Sequence, residues 1–580
     1  MWPFSSSYPV TSCSSLTDEY DYIIIGGGTS GCVLANRLSS DRNVSVLLVE
    51  RGPVADTWIS RVPLFSSDFA SNGSRTYKRE STAQTALSGR KLELFSGKVL
   101  GGSSRINAML YTRGAAAEYM AWDAAGRRGW DYDDVLPLFK RSERCLDARS
   151  GGERGTAGEW TTRTHDEVHF SLTSKVLRAA ESLGLPVIDD INSSSSPALG
   201  ISKAQFTINE YGSRHSTLAA FLPAKLALTR KSNLTICTET IATKLDIKPT
   251  SSDLLQVYGA FLQPINGRTT KYVSAKREVI LCCGPLGNPQ ILLLSGIGPK
   301  DHLESFGIPV LKHLHGVGSY LQDHLAVPTV YYVPVKDSLV VLEARPLVFI
   351  KNFIRYIFRG TGLLLAPVVE SMIFAKDDLL DEESNFLAST SQLNARDVAN
   401  IPNIEIMPIA WDASGAPFDK SKGAFSLMNV LLRPYSKGTV RLTTSDPRDP
   451  ISCDPNVLSD SRDWSVLRAS LRLSMHLAEQ LRKDGYPMSD SRVPASDSDA
   501  DLDQFITEWA RTTYHYSSTC RMAPEDDEYP GVVSDELCVH GVRKLRIADS
   551  SVFPQIIATH LQAPSVMVAE RCSELLKTGN

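Results

Sequence analysis

The run Asp21-Tyr-Ile-Ile-Ile25, followed at once by Gly26-Gly-Gly-Thr-Ser-Gly31, limits what this chain can fold into more than any other feature. A short buried-strand pattern ends in the spacing Gly-x-Gly-x-x-Gly, an amphipathic helix pattern follows from Cys32 to Leu38, and a second strand pattern, Val44–Val49, ends in Glu50. Strand, glycine turn, helix and strand within about thirty residues open a dinucleotide-binding fold. Gly26 permits the tight turn, Gly28 lets backbone approach a pyrophosphate, and Gly31 lets helix and strand pack closely. Thr29 and Ser30 stand at the helix N-terminus, whose free N–H groups and partial positive charge suit phosphates. Glu50, at the tip of the second strand, is placed to accept from ribose hydroxyls. An acid there disfavours a 2′-phosphate and leaves NAD and FAD both open.

Five further strings separate them: Gly97-Lys-Val-Leu-Gly-Gly-Ser-Ser-Arg-Ile-Asn-Ala-Met109, Gly284-Pro-Leu-Gly-Asn-Pro-Gln-Ile-Leu-Leu-Leu-Ser-Gly-Ile-Gly298, Gly316-Val-Gly-Ser-Tyr-Leu-Gln-Asp-His324, His515-Tyr-Ser-Ser-Thr-Cys-Arg-Met522 and Leu545-Arg-Ile-Ala-Asp-Ser-Ser-Val-Phe-Pro554. Together they resemble, in order and spacing, the glucose–methanol–choline (GMC) family of flavin oxidoreductases, from about Asp21 to Leu576. Asn288 replaces the usual Ser or Thr of the second string, and Ser518 a common Gly of the fourth.

The resemblance implies an α/β chain in which a Rossmann-like FAD-binding domain is interleaved with an α+β substrate-binding domain built on an antiparallel sheet. After a polar tail, 1–18, the FAD-binding domain takes 19–110, 225–320 and 535–580, and the substrate-binding domain 111–224 and 321–534. FAD is the implied cofactor. Val99, Gly102, Ser103, Asn107, Ala108, Met109 and Leu110 are implied to lie along the flavin and its ribityl chain, with Ile241 at the adenine. Ala548, Asp549 and Gln562 complete the implied cofactor set. The turn before the expected strand Met109–Thr112 also brings backbone close to a flat ring or a phosphate, and Ser103 adds a hydroxyl.

His515 and His560 occupy active-site positions of their matched strings. Oxidising an alcohol requires removal of the hydroxyl proton as hydride leaves the carbon, and a neutral imidazole, with an unperturbed pKa near 6.5, suits that task. His515 is read as the base and His560 as its partner, holding the alcohol oxygen. The expected reaction is oxidation of an alcohol to a carbonyl, with an aromatic or apolar substrate and with oxygen or another acceptor taking the electrons. Two rivals remain: lyase or cyclisation chemistry on the same fold, and a non-catalytic flavin-binding protein. His324 reads as a packed loop residue, and Cys282, Cys283 and Cys520 as buried hydrophobes.

Composition excludes other classes. Sixty-one Lys and Arg against 65 Asp and Glu, a net charge of −4, give no basic excess for nucleic acid. No Cys-x-x-Cys pair occurs, His165 and His169 lack further ligands, and no metal is expected. No apolar run is long enough for a spanning helix, no export signal opens the chain, and a cytoplasmic location is expected. Apolar residues at helical spacing between Leu347 and Phe358 read first as an amphipathic core helix, and otherwise as a channel lining or a peripheral contact with membrane or partner. Leu234–Leu245, Tyr272–Cys283 and Thr439–Leu442 read as strands, Trp464–Arg482 and Ala563–Leu576 as helices, and Gly151–Gly158, Asn192–Pro197 and Asp490–Asp503 as loops.

Overall fold

The computed structural model describes residues 8–67, 73–147, 152–165, 168–252, 254–366, 368–381 and 384–579. The start of the polar tail and Gly151 lie outside the described residues. The fold is mixed α/β, organised on two eight-stranded sheets.

The first sheet grows from Glu19–Ile25 and Val46–Val49, which pair in parallel from Tyr22↔Val46 to Ile25↔Val49. Both are nearly continuous in large aliphatics, the pattern of strands covered on both faces. Leu234–Cys237 and Lys271–Leu281 extend the parallel run on either side, and Leu545–Ile547 pairs with the latter. Thr240–Pro249 and Leu255–Pro264 continue it as antiparallel strands. The expected strand Leu234–Leu245 is thus two strands. It breaks at Glu239, which takes φ +52° and donates its N–H to the Gly52 carbonyl at 3.1 Å. The helix Thr29–Leu38 follows the glycine turn, with Gly28 as its N-cap, and packs against Gln562–Thr578 from the other end of the chain.

The second sheet is antiparallel except where Val187–Ile188 joins Gly200–Lys203. At its centre Leu325–Val333, Gly423–Leu431, Ile404–Ile409 and Ser371–Ala375 lie side by side. Side chains alternate across it, as the strand period demands. Ile404, Ile406, Leu427 and Leu431 share a core with the long helix Ser461–Lys483, while Met407, Ile409, Met428 and Val430 belong to a separate apolar cluster. Met407, Ile409 and Met428 look into the cavity described below.

Three expectations need correction. Asp490–Asp503 is not a loop throughout: Ser489–Arg492 forms an edge strand, and Ser498 caps the helix Asp499–Trp509 by accepting from Asp501 N at 3.3 Å. Its Ser and Asp residues serve as caps, which composition alone confuses with loop. Met109–Thr112 forms no strand; Met109 takes φ +63° and only a single bridge joins Leu110 to Phe206. The third is Pro346–Arg359, which is a helix as expected but leaves most of its large apolar side chains outside the core.

The glycine turn tolerates no side chain at its end. A Cβ on Gly31 would stand 1.9 Å from the Gly26 carbonyl oxygen, and one on Gly26 2.3 Å from that of Cys282. Gly31→Ala should therefore lower the thermal midpoint steeply or abolish soluble protein, an overpacking loss of about 1–3 kcal/mol or more measured by denaturant titration.

Candidate active site

One cavity of about 770 Å³ runs between the two sheets, a volume that encloses a cofactor-sized ligand. Gly26, Gly28, Thr29, Ser30 and Glu50 line one end of it, joined by Gly102, Ser103, Asn107, Ala108, Leu110, Ile241, Asp549 and Gln562. His515 and His560 line it as well. Gly31, Val99, Met109 and Ala548 do not. Gly31 lies under the turn, Val99 and Ala548 are fully buried, and Met109 packs in the apolar cluster with Phe206.

The cradle is made of backbone. Gly102, at φ +54°, sits so near the turn that a Cβ on it would lie 2.7 Å from Gly28 Cα. A Cβ on Gly97 would in turn lie 2.2 Å from the Gly102 carbonyl carbon. Gly28 differs: a Cβ there meets no protein atom nearer than 3.8 Å, so its backbone is open to the cavity. The Glu50 carboxylate accepts from Gly27 N at 2.9 Å and from Gly52 N at 2.7 Å, and burial pushes its pKa up to about 7 in spite of those donors. Each oxygen keeps a lone pair for a ribose hydroxyl. Asp549 accepts from Gly284 N, Asn288 Nδ2 and Ser551 N, while burial raises its pKa. Asn288 thus holds the carboxylate from the side while accepting from Cys283 N at 2.8 Å. The Asn107 side chain donates from Nδ2 to Gln562 Oε1 at 2.7 Å and accepts at Oδ1 from Arg214 Nη1 at 2.7 Å and Met109 N at 3.1 Å. An open glycine backbone at a helix N-terminus, a strand-tip carboxylate and a long cavity together fit FAD.

Farther along the cavity stand the histidines. The rings of His515 and His560 are 4.9 Å apart, edge to face. His515 donates its backbone N–H to Asp323 Oδ1 at 2.8 Å, and its Nδ1 lies 2.9 Å from Nδ1 of His324 and 3.2 Å from Thr513 Oγ1. Its Nε2 makes no hydrogen bond among the described residues. Burial, then His560 and His324, hold the His515 pKa well below the usual imidazole value, so the ring is neutral at ordinary pH. Burial also takes His324 down to about 3 and Asp323 up to about 7. His560 Nε2 lies 2.9 Å from Oε1 of Glu405, a fully buried carboxylate whose other oxygen has no partner among the described residues. Donation from Nε2 to that carboxylate leaves the His560 Nδ1 lone pair free.

Two members of this constellation were not singled out from the sequence as site residues. His324 is no mere packed loop residue: it is the inner neighbour of His515, signalled by the Gln322-Asp-His324 string. Glu405 is the lone acid of the apolar strand Ile404–Ile409, an anomaly that marks it. The backbone on both sides of His515 is left-handed, at Tyr514 (φ +64°) and Ser518 (φ +66°), which accounts for a glycine being usual at the latter place. Val369, Met407, Ile409, Trp411 and Met428 supply apolar surface to the cavity. The segment 347–358 supplies none of it.

Two family models, both described as GMC oxidoreductase, match residues 20–326 and 434–569. The chain is 32% identical over 572 residues to oxygen-dependent choline dehydrogenase 1 of Chromohalobacter salexigens, covering 96% of this chain and 95% of that one. It is 32% identical over 579 residues to a glucose dehydrogenase [FAD, quinone] of Drosophila pseudoobscura pseudoobscura, covering 96% and 87%. The crystal structure of pyridoxine 4-oxidase from Mesorbium loti superposes with a TM-score of 0.81 at 27% identity, covering 96% of this chain and 99% of that one.

Gly28→Val isolates the cradle from the fold. The added Cβ makes only ordinary contacts, 3.8 Å from the Cys282 carbonyl oxygen and 3.9 Å from Gly102 Cα, so the variant should keep wild-type circular dichroism and melting while losing bound FAD, read from absorbance after denaturation. Unchanged flavin content would place the cofactor elsewhere.

Proposed function

This chain belongs to the GMC oxidoreductase family, and on that premise we propose that it oxidises an apolar or aromatic alcohol to its carbonyl with His515 as base. It is an FAD-dependent alcohol oxidoreductase. When bound, FAD supplies the hydride acceptor; the electrons pass on to oxygen or another acceptor. Gly28, the N-terminus of the Thr29–Leu38 helix, Glu50, Ser103 and Asp549 would hold it.

The observation that carries the reading is the edge-to-face pair His515–His560 at 4.9 Å, with the hydrogen bonds of the His515 ring to the described residues confined to Nδ1. In the tautomer that serves, His515 Nδ1–H donates to His324 Nδ1 and leaves the Nε2 lone pair to take the alcohol proton. In this reading His560 is the imidazolium paired with Glu405, and its Nδ1–H donates to the same oxygen and orients the carbon. The apolar surface of Met407, Ile409, Trp411 and Met428 excludes water and favours an apolar substrate body. A histidine pair kept free on the cavity wall argues against a non-catalytic flavin protein.

One observation favours a second reading. Glu405 would compensate an imidazolium at His560, whereas a cation at His515 would face His324 and His560. On that reading His560 takes the proton and His515 donates from Nε2.

Anaerobic stopped-flow reduction separates the two. His515→Ala should slow reduction by about 10²–10⁴-fold with FAD retained, and Glu405→Gln by only about tenfold. His560→Asn should be milder than His560→Ala. A severe loss in Glu405→Gln with near-normal His515→Ala would reverse the roles. Because the His515 pKa is lowered, its neutral form persists as pH falls. The reduction rate should therefore be flat through neutral pH and drop only on the acid side, below the 6.5 of a free imidazole; an inflection above 6.5 would contradict the assignment.

A further inference from the structure

The helix Pro346–Arg359 turns only a narrow side to the protein. Asn352 and Tyr356 are buried, Tyr356 Oη donates to the Gly212 carbonyl at 3.1 Å, and Phe353 meets Trp58 edge-on at 6.0 Å. Its outer side carries Leu347, Ile350, Ile354, Ile357 and Phe358, all exposed, the first and last by 81%. Their spacing makes a single stripe along the helix. The stripe does not stop there. Trp58 and Ile59 continue it on one flank. Tyr211, 75% exposed, continues it at the C-terminal end, where its carbonyl packs on Gly360. Eight of the nineteen exposed large apolar side chains among the described residues therefore gather at this one surface, whereas scattered single exposures need no explanation.

On the helix the charges are of one sign, and the acids at its margins are paired, Asp56 with Arg61 and Glu210 with Arg144. Arg345, Lys351, Arg355 and Arg359 are exposed, and none forms an ion pair among the described residues. The helix contains no acid, and the nearby Glu343 is taken by Lys420 at 2.6 Å. The whole chain carries a net charge of −4, so this cationic cluster runs against its overall balance. A second copy docked about a two-fold axis would set these four cations against themselves. An apolar ridge edged by Lys and Arg, with aromatic side chains at its margins, matches instead a surface of acyl chains beneath phosphate headgroups.

We propose that the helix Pro346–Arg359, with Trp58, Ile59 and Tyr211, is a docking surface for an anionic lipid bilayer, lying in the plane of its interface. The helix packs on a segment that leads into the cavity: Phe349 meets Phe65 with ring centroids 6.4 Å apart, and Ser67, two residues on, lines the cavity. A docked molecule thus turns one wall of its active site toward the membrane. The docking itself does not depend on the substrate class proposed above.

The flavin-loaded full chain should be pelleted with sucrose-filled vesicles of phosphatidylcholine, with and without phosphatidylserine. Wild type should bind the phosphatidylserine vesicles about tenfold or more better than neutral ones, and added salt should weaken that binding. Leu347→Ser with Phe358→Ser, and separately Lys351→Glu with Arg355→Glu, should each reduce binding about tenfold while melting and the flavin spectrum stay as in wild type. Wild type that stays in the supernatant would overturn the proposal, and so would variants that bind as wild type does. A dimer seen in sedimentation velocity and dispersed by the Leu347→Ser, Phe358→Ser pair, without vesicle binding, would assign the face to a second copy.

Discussion

One buried carboxylate holds three distant stretches of chain in register. Glu50 accepts the N–H of Gly27 from the glycine turn and that of Gly52 from its own loop. The Gly52 carbonyl accepts from Glu239, while Gly52 itself lies against the backbone of Lys98, where a Cβ would come within 2.1 Å of the Lys98 carbonyl oxygen. The turn, the loop, the start of the strand Thr240–Pro249 and the segment around Lys98 are thereby tied at one point. A buried acid facing two N–H groups is stabilising only while both donors stay in place. The geometry of the cofactor cradle depends on that pairing more than on any side chain that would touch the cofactor.

The opposite sheet contributes by alternation. In Ile404–Ile409 the isoleucines at 404 and 406 face the long helix, and Met407 and Ile409 face the cavity. Glu405 shares the side of Met407, which is why it can meet His560. A shift of one residue in this strand would carry the acid into the helix-facing core and the isoleucines into the site. The pairing of Ile404 with Leu431 and of Ile409 with Ser426 fixes that register.

How much of this was legible beforehand depended on distance along the chain. The nucleotide end was written locally: the strand, glycine turn, helix and second strand lie within about thirty residues, and each glycine has a backbone reason. Most residues assigned to the cofactor line the cavity, while Gly31, Val99, Met109 and Ala548 are not part of its lining. The histidine cluster was legible as individual residues but not as a network. His324 and His515 are 191 positions apart, and Glu405 and His560 155 apart; no periodicity relates such partners. The helix Pro346–Arg359 failed differently: its spacing revealed an apolar stripe correctly, but spacing cannot say which side of a stripe meets the protein.

The two sheets are threaded through each other. The first draws its strands from residues 19–49, 234–281 and 542–547, and the second from 187–512. Ser30 Oγ donates to the Ser565 carbonyl at 3.0 Å, so the helix Thr29–Leu38 cannot find its final packing until the chain has been made past residue 565. Contacts of such long sequence separation form slowly and leave unpaired strand edges waiting. A ribosome that stops short of Leu545 releases a chain lacking a parallel strand, His560 and the covering helix at once. Such a chain keeps the glycine turn, Glu50 and His515, but has neither the second histidine of the cavity nor the helix that packs on Thr29–Leu38.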